Sequence, residues 1–455
     1  MGGLLHAVSS AHHPPKLTVG DLMTHQIADP ADSSSRPVSG RPLQIALFTD
    51  NYGPGHSGLL YAVHFIEGEL LKAGHRVLLV APATDGPNPY AGHPHRREIR
   101  LPSMYIPGIN VRIAHGQDFE LQLDRLSANP PDVIHVQGLG PIGLLGVWAA
   151  KRYNIPLLVT WHTDFVAYAE HYWQLTPFLD AAYRLLKVRT TGDNRFITLL
   201  REFRPRRPRP GAAQRNLIKL ASAMLEDADL VTTPSVKTAD RVQELAPHAK
   251  VQAIPNGADP LPDGPPIARS KDPRIIYIGR IVVEKNIDLL LDAFEIVRYY
   301  IPNAQLVLVG DWKHSGSLRP RLSRLRHKPG YQLVGQVPRD HLGPWYSSGD
   351  VYVFPSLTDT QALVLHEAAH AGLPIVSVDE ALTLVVDPGV NAIVAKPTPS
   401  SLAAGIMSML HKLEDPEFKE RASARSKEMA AQWTIERQSG ALMDIYERLA
   451  AERRS

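Results

Sequence analysis

The chain alternates twice between short β-branched or aliphatic runs and longer amphipathic segments, and a proline-rich stretch separates the two series. Such alternation lays strands and helices around a parallel sheet, because a parallel neighbour is reached only through a crossover that packs on a sheet face. The first series predicts strands at Ile45–Thr49, Val77–Ala81, Val133–Val136, Leu157–Trp161, Leu230–Thr232 and Val251–Ile254, with a helix over Gly58–Ala73. The second predicts strands at Ile275–Ile278, Leu306–Val309, Tyr331–Val334, Val351–Phe354, Ile375–Val378 and Ala392–Val394, then helices to about Ala451. Between them Pro260, Pro262, Pro265, Pro266 and Pro273 stiffen a connector. The expected architecture is α/β, with two Rossmann-like doubly wound domains facing a central cleft. Residues 41–258 form the first domain, 259–273 the linker and 274–430 the second. Residues 431–455 are expected to form a helix packing back towards the first domain, and residues 1–40, without periodicity, a disordered leader.

A length of 455 residues allows large cores, and no apolar run reaches the 18 or so residues that would cross a bilayer. Without cysteine, a thiol nucleophile or a thiolate-held metal is excluded. A net charge of +3 is nearly neutral and argues against a general nucleic-acid binder. No convincing export signal opens the chain, so a cytoplasmic location is expected. The exception to the even charge is local. Arg201, Arg204, Arg206, Arg207, Arg209 and Arg215 are interleaved with prolines and read as an exposed basic loop.

The richest stretch runs Phe354 to Pro374, with Asp359 and Glu367 eight positions apart, His366, and Gly372 closing a short helix. N–H groups at the start of that helix, around Gln361, Ala362 and Leu363, can hold an anion, while acids on the turn and the helix can bond sugar hydroxyls. A second element, Gly279-Arg280-Ile281-Val282-Val283-Glu284-Lys285, follows a strand. A third, Thr49-Asp50-Asn51-Tyr52-Gly53-Pro54-Gly55-His56-Ser57-Gly58, follows the first strand. His162 ends another, and Ile254-Pro255-Asn256-Gly257-Ala258-Asp259 closes the first domain.

These five elements, in this order, resemble the retaining GT-B glycosyltransferases of glycosyltransferase family four, over residues 43 to about 450. The resemblance implies a metal-independent transferase with no cofactor, whose substrates are a nucleotide sugar and a hydroxyl acceptor. It implies Arg280 and Lys285 on the donor diphosphate, each worth roughly 3 kcal/mol by analogy with other preorganised cations. Gly58 would approach the diphosphate, His162 would lie near the anomeric carbon, and Glu367 would hold the ribose. Asp359 stands where the family usually has a Glu against the donor sugar, one methylene shorter. A UDP-sugar is favoured over GDP-mannose. Lipid, inositol-type and small natural-product acceptors all stay open. Arg201 to Arg215 is either a solvated insertion or a contact with anionic lipid at the inner membrane face.

Three rival readings compete. His366-Glu367-Ala368-Ala369-His370 fits the zinc hydrolase pattern, although Gly372 and Pro374 stop the helix and the longer extension fails. Gly53, Gly55 and Gly58 fit the fingerprint of an NAD-dependent oxidoreductase, but Ala81 and Pro82 occupy the strand end where its acid belongs. A non-catalytic sugar-nucleotide-binding module is opposed by the presence together of His162, Arg280, Lys285 and an acid at 359. Asp227-Ala228-Asp229, a metal-like Asp-x-Asp, reads as a turn before a strand.

Overall fold

A computed structural model of the protein describes residues 41–53, 58–84, 88–106, 111–114, 126–138, 140–162 and 212–453. The leader at 1–40, Gly55 and positions 201–211 of the basic stretch lie outside the described residues.

The first half comprises β1 (Gln44–Phe48), α1 (Gly58–Lys72), β2 (Arg76–Pro82), β3 (Arg96–Leu101), β4 (Ser103–Ile106), β5 (Val111–Ala114), β6 (Val133–Val136) and α2 (Pro141–Tyr153), followed by β7 (Leu157–Thr160), α3 (Ala212–Glu226), β8 (Leu230–Thr233), α4 (Val236–Leu245) and β9 (Val251–Ala253). Its sheet has the order β3-β2-β1-β6-β7-β8-β9 with parallel pairing, and β4 and β5 form a separate antiparallel pair. The second half contains β10 (Arg274–Ile278), α5 (Ile287–Tyr300), β11 (Gln305–Val309), β12 (Tyr331–Gly335), β13 (Val351–Phe354), α6 (Leu363–His370), β14 (Ile375–Ser377) and β15 (Ala392–Val394). Three longer helices follow: α7 (Pro399–Lys412), α8 (Pro416–Ala430) and α9 (Ile435–Glu452). Its sheet is β12-β11-β10-β13-β14-β15, again parallel.

Successive side chains of a strand point to opposite faces, and here both faces are covered. Ala46 and Phe48 of β1 join one core, while Ile45 and Leu47 join another. Ile275 and Tyr277 of β10 are likewise divided from Ile276 and Ile278. In each sheet the order reverses beside the first strand, between β1 and β6 and between β10 and β13. The loops leaving these strand ends diverge there and leave a crevice, the usual ligand position of doubly wound sheets. All the motif loops at 49–58, 279–285 and 355–362 leave from these points.

The chain crosses between the halves twice. After β9 it passes through Gly257, and after α8 it returns through Thr434 into α9, whose Leu442, Ile445, Tyr446 and Leu449 join the core beneath β1 and α1. The two crossings are bonded to each other: Ala258 N–H donates to Trp433 O at 2.9 Å, and Gly257 N–H donates to the Gln438 side chain at 2.8 Å. A Cβ on Gly257 would stand 2.3 Å from Thr434 O and 2.4 Å from Ile435 Cα, so only glycine permits this contact.

Sequence reading missed β3, β4 and β5. β3 reads Arg-Arg-Glu-Ile-Arg-Leu and lies at the sheet edge, where charge protects against further pairing and hides the strand pattern. Arg215, expected in the basic loop, is helical, because α3 starts at Ala212.

Candidate active site

Lys285 follows β10 through a short turn, and Asp359 lies between β13 and α6. Lys285 Nζ meets Asp359 Oδ1 at 2.5 Å, both side chains being mostly buried. The second carboxylate oxygen, Oδ2, is buried and has no hydrogen-bond partner among the described residues. Burial by itself would raise the Asp359 carboxyl, but the charge and hydrogen bond of Lys285, a bond from Ser356 and the charge of Arg280 outweigh it and hold the group below its ordinary value. The acid is therefore ionised at neutral pH, with one oxygen able to accept a hydroxyl. Arg280 is half-exposed and pairs with buried Glu284 at 3.2 Å, while the Glu284 carbonyl accepts from Thr358 Oγ1 at 3.0 Å. The two cations and the acid thus share one corner.

His162, just past the end of β7, is joined to the acid loop through its backbone. Its Nε2–H donates to Gln137 Oε1 at 2.7 Å, and its backbone carbonyl accepts from Thr360 Oγ1 at 2.9 Å. Burial pushes its imidazole down to about 4, so the ring is neutral at pH 7. Gly58, the first residue of α1, also faces the second half: a Cβ there would lie 3.8 Å from Leu363 Cδ1, an ordinary contact. Among the described residues no atom demands glycine at this position, whereas at Gly53 (φ +157°) a Cβ would collide with Thr84 at 2.4 Å.

In the first turn of α6 the Leu365 N–H is taken by Ala362 O at 2.9 Å, while the N–H groups of Leu363 and Val364 precede the first intrahelical bond, and the Leu363 side chain lies next to Gly58. Ala362 holds a left-handed conformation (φ 63°) to make this start. For a residue with a side chain this is a strained conformation, of a kind that clusters at functional sites. Gln361 spans to the first half, accepting from Asn256 N–H at 2.7 Å and donating to Asn256 O at 2.8 Å. Glu367 accepts from Arg339 Nε and Nη2 at 3.1 and 2.8 Å on one oxygen and from Tyr346 OH at 2.8 Å on the other.

The zinc pattern dissolves in this geometry. The Gln361 amide donates to His366 Nε2 at 3.1 Å, whereas His370 Nε2 donates to Ala258 O at 2.6 Å, and Glu367 is engaged by Arg339. Burial drives His366 down to about 3. Asp227 is paired with Lys151, and Asp229 caps the start of β7 through Leu157 N–H at 2.7 Å, so the Asp-x-Asp is structural. A small pocket beside the acid loop is lined by Ser235, Gln361, Leu365, His366 and Leu382, and Lys285 is not among its lining residues.

Sequence reading missed Gln137, Arg339 and Tyr346. Gln137 carries a usable signal, since it follows β6 at a crevice as His162 follows β7. Arg339 and Tyr346 precede β13 without any motif, and only the fold brings them to Glu367.

Two family descriptions match the chain: "Glycosyltransferase Family 4" over residues 61–260 and "Glycosyl transferases group 1" over residues 272–412. Alpha-monoglucosyldiacylglycerol synthase of Streptococcus pneumoniae is 25% identical over 350 residues, covering 74% of this chain and 71% of its own. GDP-mannose-dependent alpha-mannosyltransferase of Mycolicibacterium smegmatis is 26% identical over 342 residues, covering 74% and 80%. Among solved structures, Anabaena Alr3699/HepE in complex with UDP-glucose superposes with a TM-score of 0.63 at 14% identity, over 89% of this chain and 100% of that one.

Proposed function

The chain belongs to the GT-B glycosyltransferases of family four, and on that premise we propose that it moves a hexose from a UDP-sugar to a lipid hydroxyl with retention of the anomeric configuration. The observation that carries the reading is the Lys285–Asp359 pair, whose Oδ2 has no hydrogen-bond partner among the described residues, on a loop that Thr360 ties to the backbone of neutral His162. Lys285 and Arg280 are cations suited to the diphosphate, whose negative charge grows as its bond to the anomeric carbon breaks. Asp359 Oδ2 accepts a donor-sugar hydroxyl, and His162 bounds the sugar from the other domain. Glu367 takes the ribose, and Gly58 leaves room for the diphosphate against the start of α6.

The acceptor hydroxyl attacks the face that the leaving group vacates and gives its proton to a diphosphate oxygen. One glycosidic bond forms as one breaks, the nucleoside diphosphate leaves, and the anomer is retained. With two protein cations on the diphosphate, turnover proceeds in chelator and requires no cofactor. The lipid acceptor is supported by the name of the S. pneumoniae relative, and the UDP donor by the UDP-glucose complex of the Anabaena neighbour; the mycobacterial relative makes GDP-mannose the donor to test beside it. Among the described residues no helix is long and apolar enough to cross a membrane. A lipid acceptor would be met at the inner membrane face, with positions 201–215 as the basic contact.

The deciding experiment incubates the protein with UDP-glucose or GDP-mannose and diacylglycerol vesicles in chelator, and reads the product anomer by NMR. An α-linked glycolipid from UDP-glucose supports the proposal. A β-linked product would overturn retention. Donor binding with neither transfer nor hydrolysis would return the protein to a binding module.

A further inference from the structure

Eight residues separate the end of β13 from the start of α6, and they carry Asp359 outside any ladder. Within their own half they are tied by Thr358 to Glu284 O and by Asp359 to Lys285, and the other half of the molecule adds a second set of holds. Ser235 is the N-cap of α4, and its hydroxyl also reaches Thr360 O, to which Thr238 Oγ1 donates at 3.3 Å. Lys237, in the first turn of α4, extends across the cleft. Its Nζ donates to Leu357 O at 2.9 Å, to Asp359 O at 3.2 Å and to Asp379 Oδ2 at 2.5 Å.

An ammonium has three N–H groups, and here each has an acceptor in the second domain. Asp379 is a fixed anchor, since its own N–H donates to Ser377 Oγ at 3.1 Å and its Oδ1 accepts from Ala381 N–H at 3.0 Å. The loop is therefore gripped on both sides of Asp359: at Leu357 and Asp359 by Lys237, and at Thr360 by Ser235, Thr238 and the carbonyl of His162. The Lys237 side chain remains 29% exposed, so the grip lies at the edge of the cleft, where water can replace it when the halves separate.

We propose that Lys237 is a positioning residue that sets the acid loop from the opposite domain, so that the Asp359 carboxylate is placed for the donor sugar only when the two halves are closed. The proposal rests on the sugar-binding role given to Asp359 above. Lys237 touches the loop backbone and needs no contact with donor or acceptor. Closure and acid placement become one event, which guards against hydrolysis of a donor bound in the open cleft.

The test compares Lys237→Met, which keeps the stem and removes the donors, with Asp379→Asn, which weakens the anchor alone. The chain has no cysteine, so Lys72→Cys and Lys328→Cys, one in each half, take spin labels specifically. Lys237→Met is expected to lower kcat about a hundredfold, the usual cost of an ångström-scale misplacement, with UDP affinity changed less than about threefold. Asp379→Asn is expected to give a loss about one-third as deep on a logarithmic scale, because one of three acceptors is weakened. Label distances in the nucleotide-free protein should lengthen in Lys237→Met. Unchanged distances would overturn the docking role whether or not the protein proves to be a transferase. An unchanged kcat, or a fall of kcat and UDP affinity together with melting temperature, would overturn the positioning role. Failure of the unsubstituted protein to transfer sugar, with distances still responding, would count against the function and leave the grip established.

Discussion

Arg339 places two hydrogen bonds on a single oxygen of Glu367, while its guanidinium lies 5.3 Å from the ring centre of Tyr61 and 5.4 Å from that of Phe65, both on α1 of the opposite domain. One side chain thus orients the carboxylate assigned to the ribose and touches the other wall of the cleft. Arg339→Ala is expected to raise the donor KM about tenfold by freeing Glu367, and Tyr61→Ala about threefold by removing a partly desolvated cation–π contact. Steady-state kinetics with varied donor checks both values; equal KM in Arg339→Ala and the parent would reject the orienting role.

Lys285→Ala leaves Asp359 buried and charged without its partner. Breaking a largely buried pair from one side costs about 3 kcal/mol of stability, and losing a preorganised cation lowers kcat about a hundredfold or more. The double variant Lys285→Ala/Asp359→Asn should recover stability without recovering activity. Urea denaturation beside a turnover assay separates the two effects, and a double variant no more stable than Lys285→Ala would contradict the pairing argument.

Burial holds His64 and His162 at about 4 and His366 at about 3, against 6.5 for a free imidazole. For His64, the charges of Arg100 and Arg96 add to the burial, as that of His370 does for His366. A lowered histidine contributes stability that is present above its unfolded value and lost as pH falls towards its folded value. Asp50 opposes this over part of the range: burial raises its carboxyl to about 6 despite N–H bonds from Ile142, Gly143 and Gly140, so the native state holds a proton there that the unfolded state releases above 3.8. Near pH 5 the three histidines less the one aspartate leave the unfolded state about two protons richer, and stability should fall by roughly 2.7 kcal/mol per pH unit from these groups. Denaturant midpoints at pH 7.5, 6 and 5 measure the slope; a flat profile would mean the imidazoles charge freely in the folded protein.

Gly257→Ala puts a methyl where the chain crossings touch. Displacing backbone on both sides should cost about 3 kcal/mol, read as a lower melting temperature, whereas Gly58→Ala should leave the melting temperature nearly unchanged and weaken UDP binding instead. A Gly257→Ala protein as stable as the parent would show that the crossings can part without cost.

Much of this molecule is legible in its sequence because the parallel strands are buried on both faces and read as aliphatic runs. Val133–Val136 and Val351–Phe354 begin and end where the pattern puts them. β3 is hidden because an edge strand with arginines on it carries no such run. Lys285, Asp359, His162 and Glu367 are visible because each sits in a motif at a strand end or on a helix. Gln137, Arg339, Tyr346 and Lys237 act through partners as many as 142 positions away, and no local spacing encodes such a meeting.

The bond between the two crossings also redefines where the first domain ends. Its chain is discontinuous: α9 supplies Tyr446, whose hydroxyl lies 2.6 Å from His135 Nδ1 under the first sheet, and Arg453, which reaches Pro131 O. An expression fragment stopping near residue 258 would expose the apolar seat of α9 and aggregate, while one beginning near 274 would carry an unpartnered amphipathic helix. A separable unit of the first half has to be built as a circular permutant, with α9 spliced ahead of β1.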